Sequence, residues 1–511
     1  MTLIPLPPEF AHRTVPSLLA RRAHENPDAP AVSGREGNTF RTLTFAELDH
    51  RSTKLGQILL ERGLAVTGHP VAWAVDNSEG LAAIVLYHAV LKTGAFNVPV
   101  NTRLTPVEVS NLLAHCRAEG VLDLSALQQL LAQSPQDPTA PLWIGEESDL
   151  ASVLYTSGTT GLPKGVEHTH SSSIAAGAAW SDCFELTSAD VLQSPFPVTS
   201  GAGLHFNALS CLWAGAHVVI DEADLPGTFA RIERYASTIY VAVPSIYQFW
   251  LDHAALHEHD LSNLRILDYG GSSMAPDVIR RLRAVLHGVG LMQTYGFTEG
   301  GPGGTYLPPA YAELRPGSIG SRPAGRFTQF KVLDAAGVEV GPDQPGELFL
   351  RGPSGMRGYH RDPAATTLVK GDDGWIASGD VVRYDAEGFL YFVDRRRELI
   401  VRGGYNIAPV EIEAALLAYA GVREAAVFGI PHASLGEVPC AAIVPSNSSQ
   451  ADTLIDGLRS HLLIHLADFK RPREIHIVGE LPKNAAGKVV KQQLREMYSA
   501  PPITTNSVRE N

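Results

Sequence analysis

The sequence is poor in the features that define several large classes of protein. Its 511 residues include only four cysteines, Cys116, Cys183, Cys211 and Cys440, which are too few for a disulfide framework and too widely spaced for a paired-cysteine metal site. The 41 basic residues are outnumbered by 54 acidic ones, so the formal net charge is -13. This balance lacks the basic surplus that binds nucleic acid. We therefore expect a reduced, cytoplasmic chain with no nucleic-acid partner.

Long hydrophobic runs are also missing. The two most apolar stretches, Leu81–Leu91 and Leu209–Ile220, each contain a histidine, and both are shorter than the roughly 20 residues that span a bilayer. The N-terminus, MTLIPLPPEFAHR, places prolines where a signal peptide needs an apolar segment. We expect no membrane partner.

The residues that are present describe a globular, loop-rich chain, with 44% hydrophobic residues, 47 glycines and 35 prolines. Phe45–Arg62 and Asp277–Leu286 have the periodicity of helices, whereas Pro70–Val75, His217–Asp221 and Ile239–Val243 read as buried strands. Helices that alternate with buried strands indicate layered α/β architecture. The predicted fold class is therefore α/β.

The pattern of predicted helices and strands changes twice after about residue 310. Short β runs separated by Gly, Pro and Asp fill Gly317–Asp394, and a helix opened by Pro409 begins a further α+β region. We predict an N-terminal domain over residues 1–394, made of two α/β subdomains and a small β-barrel-like subdomain. A smaller α+β domain follows over residues 395–499, and residues 500–511 are expected to form a disordered tail.

The most informative segment is Tyr155–Val166, YTSGTTGLPKGV, which follows the apolar run ASVLY. Backbone N–H groups of a glycine-rich turn form an anion-binding concavity, while hydroxyl groups and a lysine add donors for a polyphosphate. The segment is not a Walker A motif, because Leu162 and Pro163 precede Lys164, and Gly165 stands where Ser or Thr would bind Mg²⁺. It predicts a phosphate site outside the P-loop class.

This segment resembles the signature phosphate loop of the AMP-forming acyl-CoA synthetase superfamily, which also includes nonribosomal peptide adenylation domains and beetle luciferase. The resemblance implies ATP, Mg²⁺ and coenzyme A as cofactors, and a C-terminal domain that moves. The loop residues that it assigns to ATP and AMP are Thr156, Ser157, Gly158, Thr159, Thr160 and Lys164.

Gln293–Glu299, QTYGFTE, resembles the second core motif of this superfamily. The resemblance implies that Tyr295 stacks on adenine, that Thr298 meets the α-phosphate and that Glu299 holds Mg²⁺. The chemistry agrees, since an aromatic face, a hydroxyl and a hard carboxylate oxygen suit these three tasks. Thr298 and Glu299 are accordingly assigned to the catalytic group, with Glu299 as the metal ligand.

Further positions match the nucleotide site. Tyr269–Met274, YGGSSM, resembles the loop that forms the other wall of the adenine slot, which assigns Gly271 and Ser272 to AMP binding. Asp380 and Arg395 match the carboxylate and the arginine that bind ribose, and forked guanidinium donors suit that role.

The C-terminal region carries the remaining motifs. Leu481–Lys488, LPKNAAGK, resembles the last family motif, which implies that Lys488 is the catalytic lysine that stabilises negative charge during adenylation. The resemblance makes Arg397 the hinge of the mobile domain, where Asp or Lys is usual. Gly403 and Gly404 match the glycine pair beside the pantetheine arm of CoA.

The acyl pocket is the least defined part of the site. Pro195–Leu204, PFPVTSGAGL, lacks the aspartate that pairs with an α-amino group, so an α-amino acid substrate is disfavoured. Glycines in Gly300–Gly304 either leave volume for a bulky acid or serve the loop backbone alone. The residues assigned to the acyl pocket are Ser200, Gly201, Gly271, Gly296 and Gly300.

The resemblance implies an ATP-dependent carboxylate:CoA ligase that acts on a small-molecule carboxylic acid, which we expect to be bulky aromatic, polycyclic or medium-chain. An alternative is a free-standing adenylating enzyme that loads the phosphopantetheine of a carrier protein. A catalytically silent scaffold is disfavoured by the intact motif residues. No metal other than Mg²⁺ is expected, since the histidines form no zinc-binding pattern.

Overall fold

The structure, a computed structural model, describes residues 13–137, 142–143, 145–156, 164–272, 274–301, 303–395, 398–402, 405–432, 435–446, 451–484 and 487–499. The α-helices are α1 (Val15–Glu25), α2 (Phe45–Glu61), α3 (Gly80–Lys92), α4 (Pro106–Cys116), α5 (Leu124–Leu131), α6 (His170–Phe184), α7 (Leu209–Ala214), α8 (Gly227–Tyr235), α9 (Pro244–Leu251), α10 (Pro276–Val285), α11 (Pro363–Val369), α12 (Pro409–Leu417), α13 (Ala451–His465) and α14 (Lys491–Ser499).

The β-strands are β1 (Pro30–Glu36), β2 (Thr39–Thr44), β3 (Pro70–Ala74), β4 (Phe96–Pro99), β5 (Val121–Asp123), β6 (Leu150–Thr156), β7 (Lys164–Thr169), β8 (Val191–Ser194), β9 (His217–Ile220), β10 (Ile239–Ala242), β11 (Ile266–Gly270), β12 (Gly290–Gly296), β13 (Gly304–Leu307), β14 (Ser318–Gly320), β15 (Arg322–Pro323), β16 (Gln329–Leu333), β17 (Gly346–Arg351), β18 (Gly358–Tyr359), β19 (Ile376–Tyr384), β20 (Leu390–Arg395), β21 (Ile400–Arg402), β22 (Tyr405–Ile407), β23 (Val422–His432), β24 (Gly436–Pro445) and β25 (Glu474–Ile477).

The largest sheet has nine strands in the order β15-β13-β12-β11-β10-β8-β9-β1-β2. Its central strands, β12 to β1 in that order, are parallel, and β13, β15 and β2 add antiparallel edges. The register places Gly270 of β11 opposite Thr294 of β12. Because loops that follow the carboxyl ends of neighbouring parallel strands meet at one edge of a sheet, the loops after β11 and β12 lie side by side.

A second sheet has the order β18-β7-β6-β4-β3-β5. Strands β6 and β7 form an antiparallel pair that places Thr156 opposite Lys164, and β18 adds Tyr359 opposite Val166. A third sheet has the order β14-β20-β19-β17-β16, where a compact β unit was predicted. The fourth sheet contains β22-β21-β24-β23, with β25 paired to β24.

Local signals explain why the helices begin where they do. Helix α2 starts after a capping box in which Thr44 and Glu47 satisfy each other's backbone N–H groups. Helices α10 and α12 have Pro276 and Pro409 in their first turn, where a missing N–H costs nothing. Ala202–Ala208 forms a π-helix, which overlaps the C-terminal end of the segment Pro195–Leu204 discussed for the acyl pocket. Such segments are rare and depend on tertiary packing.

The chain divides into a large and a small compact unit. Among the described residues, the large unit contains positions up to Ser378 together with Arg383–Tyr391, and the small unit contains Gly379–Val382 together with positions from Phe392 on. The predicted α/β class, with a large N-terminal and a small C-terminal part, is confirmed. The exact boundaries at 394 and 499 stay predictions, and the predicted disordered tail, residues 500–511, lies outside the described residues.

Within the described part of the chain, none of the helices combines the length and the apolar character needed to cross a bilayer.

Candidate active site

The two ends of the predicted phosphate loop are fixed by a pair of strands. Thr156 is the last residue of β6 and Lys164 the first of β7, and the antiparallel register places them opposite each other. Both are half-buried. The loop residues between them that the sequence assigned to ATP, namely Ser157, Gly158, Thr159 and Thr160, lie outside the described residues. The structure therefore describes the two strand ends that hold this loop.

Tyr359 links the end of the phosphate loop to the second motif. The Lys164 ammonium lies 4.6 Å from the centroid of the Tyr359 ring, and the Tyr359 hydroxyl donates a hydrogen bond of 2.7 Å to Glu299 Oε1. Pairing of β18 with β7 explains this position, since it places Tyr359 beside Val166, two residues after Lys164. A cation and a carboxylate from distant parts of the sequence are thus brought to the same tyrosine.

The turn that carries Glu299 is held at its backbone as well. Thr298–Gly300 forms a single 3₁₀ turn directly after β12. The N–H of Met356 donates to the Glu299 carbonyl oxygen at 2.8 Å, and the Ser354 hydroxyl donates to the Gly300 carbonyl oxygen at 2.8 Å. Thr298 and Glu299 are both half-buried. This turn therefore presents a hydroxyl and a carboxylate from a fixed main chain.

The predicted adenine wall lies next to this turn. Gly271 has a φ of +79°, in the left-handed region that favours glycine. The Gln293 amide donates to the Ser272 carbonyl oxygen at 3.3 Å. A Cβ atom at Gly270 would come within 2.8 Å of Thr294 Oγ1. The loop after β11 is therefore tied to β12, the strand that carries the half-buried Tyr295.

The small unit brings together the predicted ribose pair. Arg395 Nε lies 3.6 Å from Asp380 Oδ1, and Asp380 is buried. Although Lys488 is exposed, desolvation by surrounding protein and then the charge of Arg395 lower the pKa of its ammonium, while Asp380 and Glu398 act in the opposite direction. Lys488 is therefore electrostatically coupled to both members of the pair.

Three predicted positions of the C-terminal region, Arg397, Gly403 and Gly404, lie outside the described residues. Their assignments, the hinge and the contact with CoA, stay predictions.

The Ser200 side chain forms hydrogen bonds within its own turn. Its hydroxyl donates to the Pro197 carbonyl oxygen at 2.7 Å and accepts from the Gly203 N–H at 3.1 Å. A Cβ at Gly203 would lie 2.2 Å from the same carbonyl oxygen. Ser200 and Gly201 lie immediately before the π-helix Ala202–Ala208. Their assignment to the acyl pocket stays a prediction.

The glycines after Glu299 allow close packing of the backbone. A Cβ would come within 2.1 Å of the Ser354 carbonyl oxygen at Gly301, 2.5 Å of the Gly300 carbonyl oxygen at Gly303, and 1.7 Å of the Tyr295 carbonyl oxygen at Gly304. These distances favour the loop-geometry alternative for the three glycines. Gly300 is buried against the Phe297 ring, and Gly296 is exposed.

Tyr359 is the residue that reasoning from sequence missed. Its only local signal is a glycine-tyrosine pair shortly before Pro363, and such pairs are common in turns. Its position became visible only through the pairing of β18 with β7.

Replacing Tyr359 with phenylalanine should weaken the use of Mg²⁺ATP. Loss of one hydrogen bond to the Glu299 carboxylate removes about 1.5 kcal/mol of the free energy that holds this carboxylate in position. This loss corresponds to roughly a tenfold higher KM for Mg²⁺ATP. Pyrophosphate release at several Mg²⁺ concentrations measures this change. The matched control is Tyr391→Phe, which removes a hydroxyl that donates a hydrogen bond of 3.2 Å to Asp385 in the same unit. An equal effect of both variants would contradict a specific role for Tyr359.

With this geometry established, comparisons with known proteins define the class. The AMP-binding enzyme family matches residues 19–360, and the AMP-binding enzyme C-terminal domain matches residues 411–488. A feruloyl-CoA synthase from Amycolatopsis sp is 33% identical over 501 residues, which are 94% of this chain and 98% of the relative. A methyl-dioxo-octahydroindenyl-propanoyl:CoA ligase from Mycobacterium tuberculosis is 31% identical over 526 residues, covering 95% of this chain and 99% of the relative.

A solved structure is similar over the same extent. O-succinylbenzoate coenzyme A synthetase from Bacillus subtilis in complex with AMP has a TM-score of 0.85 and 26% identity, with 94% of this chain and 98% of that chain covered. The same synthetase has also been solved with ATP and a magnesium ion. The chain belongs to the AMP-binding enzyme family, and within it to the AMP-forming acyl-CoA ligases. The predicted family and enzyme class are therefore confirmed.

Proposed function

We propose that the chain activates a carboxylic acid with ATP and transfers the acyl group to coenzyme A. In the first step a carboxylate oxygen attacks the α-phosphate, which forms acyl-adenylate and releases pyrophosphate. In the second step the CoA sulfur attacks the acyl carbon, AMP leaves, and the thiol proton is lost to solvent. The mixed anhydride divides one difficult condensation into two easier displacements.

The observation that carries this proposal is the arrangement of Lys164, Tyr359 and Glu299. An ammonium beside the loop end suits a polyphosphate, and a carboxylate on the adjoining turn suits Mg²⁺. Tyr359 occupies Oε1 of Glu299, and among the described residues no hydrogen-bond donor reaches Oε2. The donor set therefore fits a hard divalent cation, which when bound neutralises phosphate charge.

The other assigned residues orient and stabilise the reacting groups. Tyr295 offers its ring to adenine and Thr298 its hydroxyl to the α-phosphate. Asp380 accepts from the ribose hydroxyls, and Arg395, whose Nε lies 3.6 Å from Asp380 Oδ1, adds donors. Lys488 places a positive charge where negative charge develops during adenylation.

CoA is the proposed acceptor because the relatives found over nearly the full length are named as a CoA synthase and a CoA ligase. A bulky aromatic, polycyclic or medium-chain acid is the proposed substrate, since these relatives are named for a feruloyl group and for a bicyclic propanoyl group. A carrier protein as acceptor is the second candidate, because its phosphopantetheine arm presents the same thiol as CoA.

The test of this proposal is pyrophosphate release on a panel of acids, repeated with and without CoA. We expect aromatic and bicyclic acids to exceed acetate and propionate in kcat/KM, because each further buried methylene contributes about 0.8 kcal/mol. CoA should accelerate turnover and yield acyl-CoA and AMP. Acceleration by a phosphopantetheinylated carrier protein, with none by CoA, would favour the second candidate. If none of the acids on the panel supported pyrophosphate release, the proposed adenylation would be contradicted.

A further inference from the structure

Three potential metal ligands lie together in the small unit. Cys440 of β24 and Glu474 and His476 of β25 each offer one ligand atom, and these three atoms all lie within 4.8 Å of one another. None of the three residues is among those assigned above to the nucleotide, the acid or CoA. The fold therefore brings together a thiol, a carboxylate and an imidazole that the proposed ligase reaction does not use.

The register of the sheet explains why these side chains meet. Strands β24 and β25 pair in parallel, with Cys440 opposite Glu474 and Ala442 opposite His476. Because paired residues, and residues two apart on a strand, point to the same face, all three potential ligands lie on one face of the sheet. Cys440 and Ala442 belong to a core cluster with Leu494, so α14 covers this face. The ligands come from distant parts of the sequence, and for that reason the sequence pattern predicted no metal besides Mg²⁺.

The imidazole of His476 is held in place without the use of its Nε2 atom. Its ring stacks on the ring of Tyr498 in α14, with the centroids 3.9 Å apart and an angle of 14° between the planes. Nε2 is buried and has no hydrogen-bond partner among the described residues, although Glu474 Oε2 lies 3.2 Å from it. A buried nitrogen without a partner is costly. A cation bound to both atoms would satisfy the nitrogen and the carboxylate together.

The distance between these two atoms fits a shared zinc ion. Zn–N and Zn–O bonds of about 2.1 Å, at a tetrahedral angle, place the two ligand atoms about 3.4 Å apart, close to the 3.2 Å between His476 Nε2 and Glu474 Oε2. A Zn–S bond of about 2.3 Å places the sulfur about 3.6 Å from either atom, and the Cys440 sulfur lies within 4.8 Å of both. Three protein ligands leave the fourth tetrahedral position for water.

The group is open to solvent on one side. Cys440 has no exposed surface, whereas 51% of the Glu474 side chain and 29% of the His476 side chain are exposed. A cation can therefore enter past the carboxylate and reach the sulfur at the closed end. A buried cysteine alone is ordinary core packing. The imidazole and the carboxylate on the same face distinguish Cys440 from the other buried cysteines.

We propose that Cys440, Glu474 and His476 bind one Zn²⁺ ion, with a water molecule as the fourth ligand. A thiolate and an imidazole select Zn²⁺ over Mg²⁺, so the site differs in chemistry from the carboxylate of Glu299. When the ion binds, the Cys440 thiol loses its proton to solvent, and bonds to sulfur, nitrogen and oxygen replace water on the ion. Because the ligands come from two neighbouring strands, the ion links β25 to β24 and stabilises the small unit.

Cobalt binding to the full-length enzyme, freed of metal and with its thiols kept reduced, tests this site. Co²⁺ takes the place of Zn²⁺ in tetrahedral sites, and a bond from Co²⁺ to a thiolate gives a charge-transfer absorption that carboxylate and imidazole ligands alone do not give. We expect one equivalent of Co²⁺ to produce this band and one equivalent of Zn²⁺ to abolish it, while excess Mg²⁺ leaves it unchanged. Absence of the band in wild type would overturn the site and leave the ligase function untouched.

Matched variants assign the band to the three ligands. Cys440→Ala should abolish it. His476→Phe, which keeps a ring against Tyr498, and Glu474→Gln should each weaken Zn²⁺ binding by about 10²-fold or more, because even a residue that only supports a ligand contributes 10- to 100-fold. The control is Cys211→Ala, which removes an equally buried thiol from α7 and should bind as wild type does. A band that survives in Cys440→Ala, or that is lost in Cys211→Ala, would overturn the assignment.

Thermal unfolding separates this site from adsorption of Zn²⁺ to other histidines. Zn²⁺ should raise the unfolding temperature of the wild-type enzyme by a few degrees, since it binds the folded state, and should leave that of Cys440→Ala unchanged. A shift of equal size in both proteins would show adsorption only and overturn the site. Glu299→Gln should keep the cobalt band, because the proposed Mg²⁺ ligand is a different residue. Loss of the band in Glu299→Gln would contradict two separate metal sites.

Discussion

Lys488→Ala should lose acyl-adenylate formation by at least about 10²-fold, the usual scale for removing one electrostatic stabiliser of a transition state. Conversion of supplied acyl-adenylate and CoA to acyl-CoA should persist, because the charge that Lys488 stabilises develops only in the first step. Pyrophosphate release measures the first half-reaction, and acyl-CoA formation from synthetic acyl-adenylate measures the second. The two rates should therefore separate in this variant.

Lys483→Ala is the matched control, since Lys483 lies on the same turn and is exposed, with its ammonium 2.5 Å from Glu424. The control should leave both half-reactions within about threefold of wild type, as is usual for a surface ion pair. Equal loss of both half-reactions in Lys488→Ala would contradict a role confined to adenylation.

The pH profile gives a second measurement of the same prediction. Desolvation, then the charge of Arg395, lowers the pKa of Lys488, so the ammonium loses its proton at a lower pH than an ordinary lysine does. The pH profile of adenylation should therefore have an alkaline limb, in which the rate decreases as the pH rises. This decrease should begin below the pH range in which an ordinary lysine loses its proton. That limb should be absent from the residual activity of Lys488→Ala, because the titrating group is gone.

Much of the fold follows from local sequence signals. The helix predicted over Phe45–Arg62 spans Phe45–Glu61, because its capping box and its apolar period agree. The strand predicted over Ile239–Val243 spans Ile239–Ala242. The π-helix Ala202–Ala208 had no such signal, since its hydrogen-bond pattern depends on packing against α6 and α7 rather than on residue propensity.

The candidate site likewise contains residues that local sequence signals reveal and one that they do not. Tyr295, Thr298 and Glu299 lie within one short motif, so residue types and their order were enough to select them. Tyr359 contacts Lys164 of β7 and Glu299 of the turn after β12, and these contacts depend on the pairing of β18 with β7. Register is fixed by the whole pattern of burial and not by a local motif, which is why sequence reasoning did not find Tyr359.

Glycines illustrate a further limit of sequence reasoning. A sequence shows that Gly301 and Gly303 are small, yet smallness serves either an open pocket or a close backbone approach. The carbonyl oxygens of Ser354 and Gly300 occupy the space that a Cβ would need at these two positions. At Gly271, in contrast, the nearest atom to a Cβ would be Val243 Cγ1 at 3.8 Å, so the space beside this glycine is open. Only the three-dimensional neighbours separate these two uses of glycine.

The second large effect is expected for Glu299→Gln. Glutamine keeps the size of glutamate and still accepts the hydrogen bond from Tyr359, but it has no charge to hold Mg²⁺. We expect kcat/KM for ATP to fall by about 10²-fold and the Mg²⁺ concentration for half-maximal activity to rise. Pyrophosphate release during a Mg²⁺ titration measures both. The control is Glu313→Gln, whose side chain forms an exposed ion pair of 3.0 Å with Arg283 in the same unit.

A double variant shows whether Tyr359 acts through Glu299. If the tyrosine hydroxyl serves only to orient the carboxylate, Tyr359→Phe should cost about tenfold in KM for Mg²⁺ATP in wild type and far less in the Glu299→Gln background. Such non-additivity is the mark of residues that share one function. Full additivity would mean that Tyr359 acts elsewhere, for example through its ring on Lys164. A Glu299→Gln enzyme with unchanged Mg²⁺ dependence would contradict the assignment of Glu299 as the metal ligand.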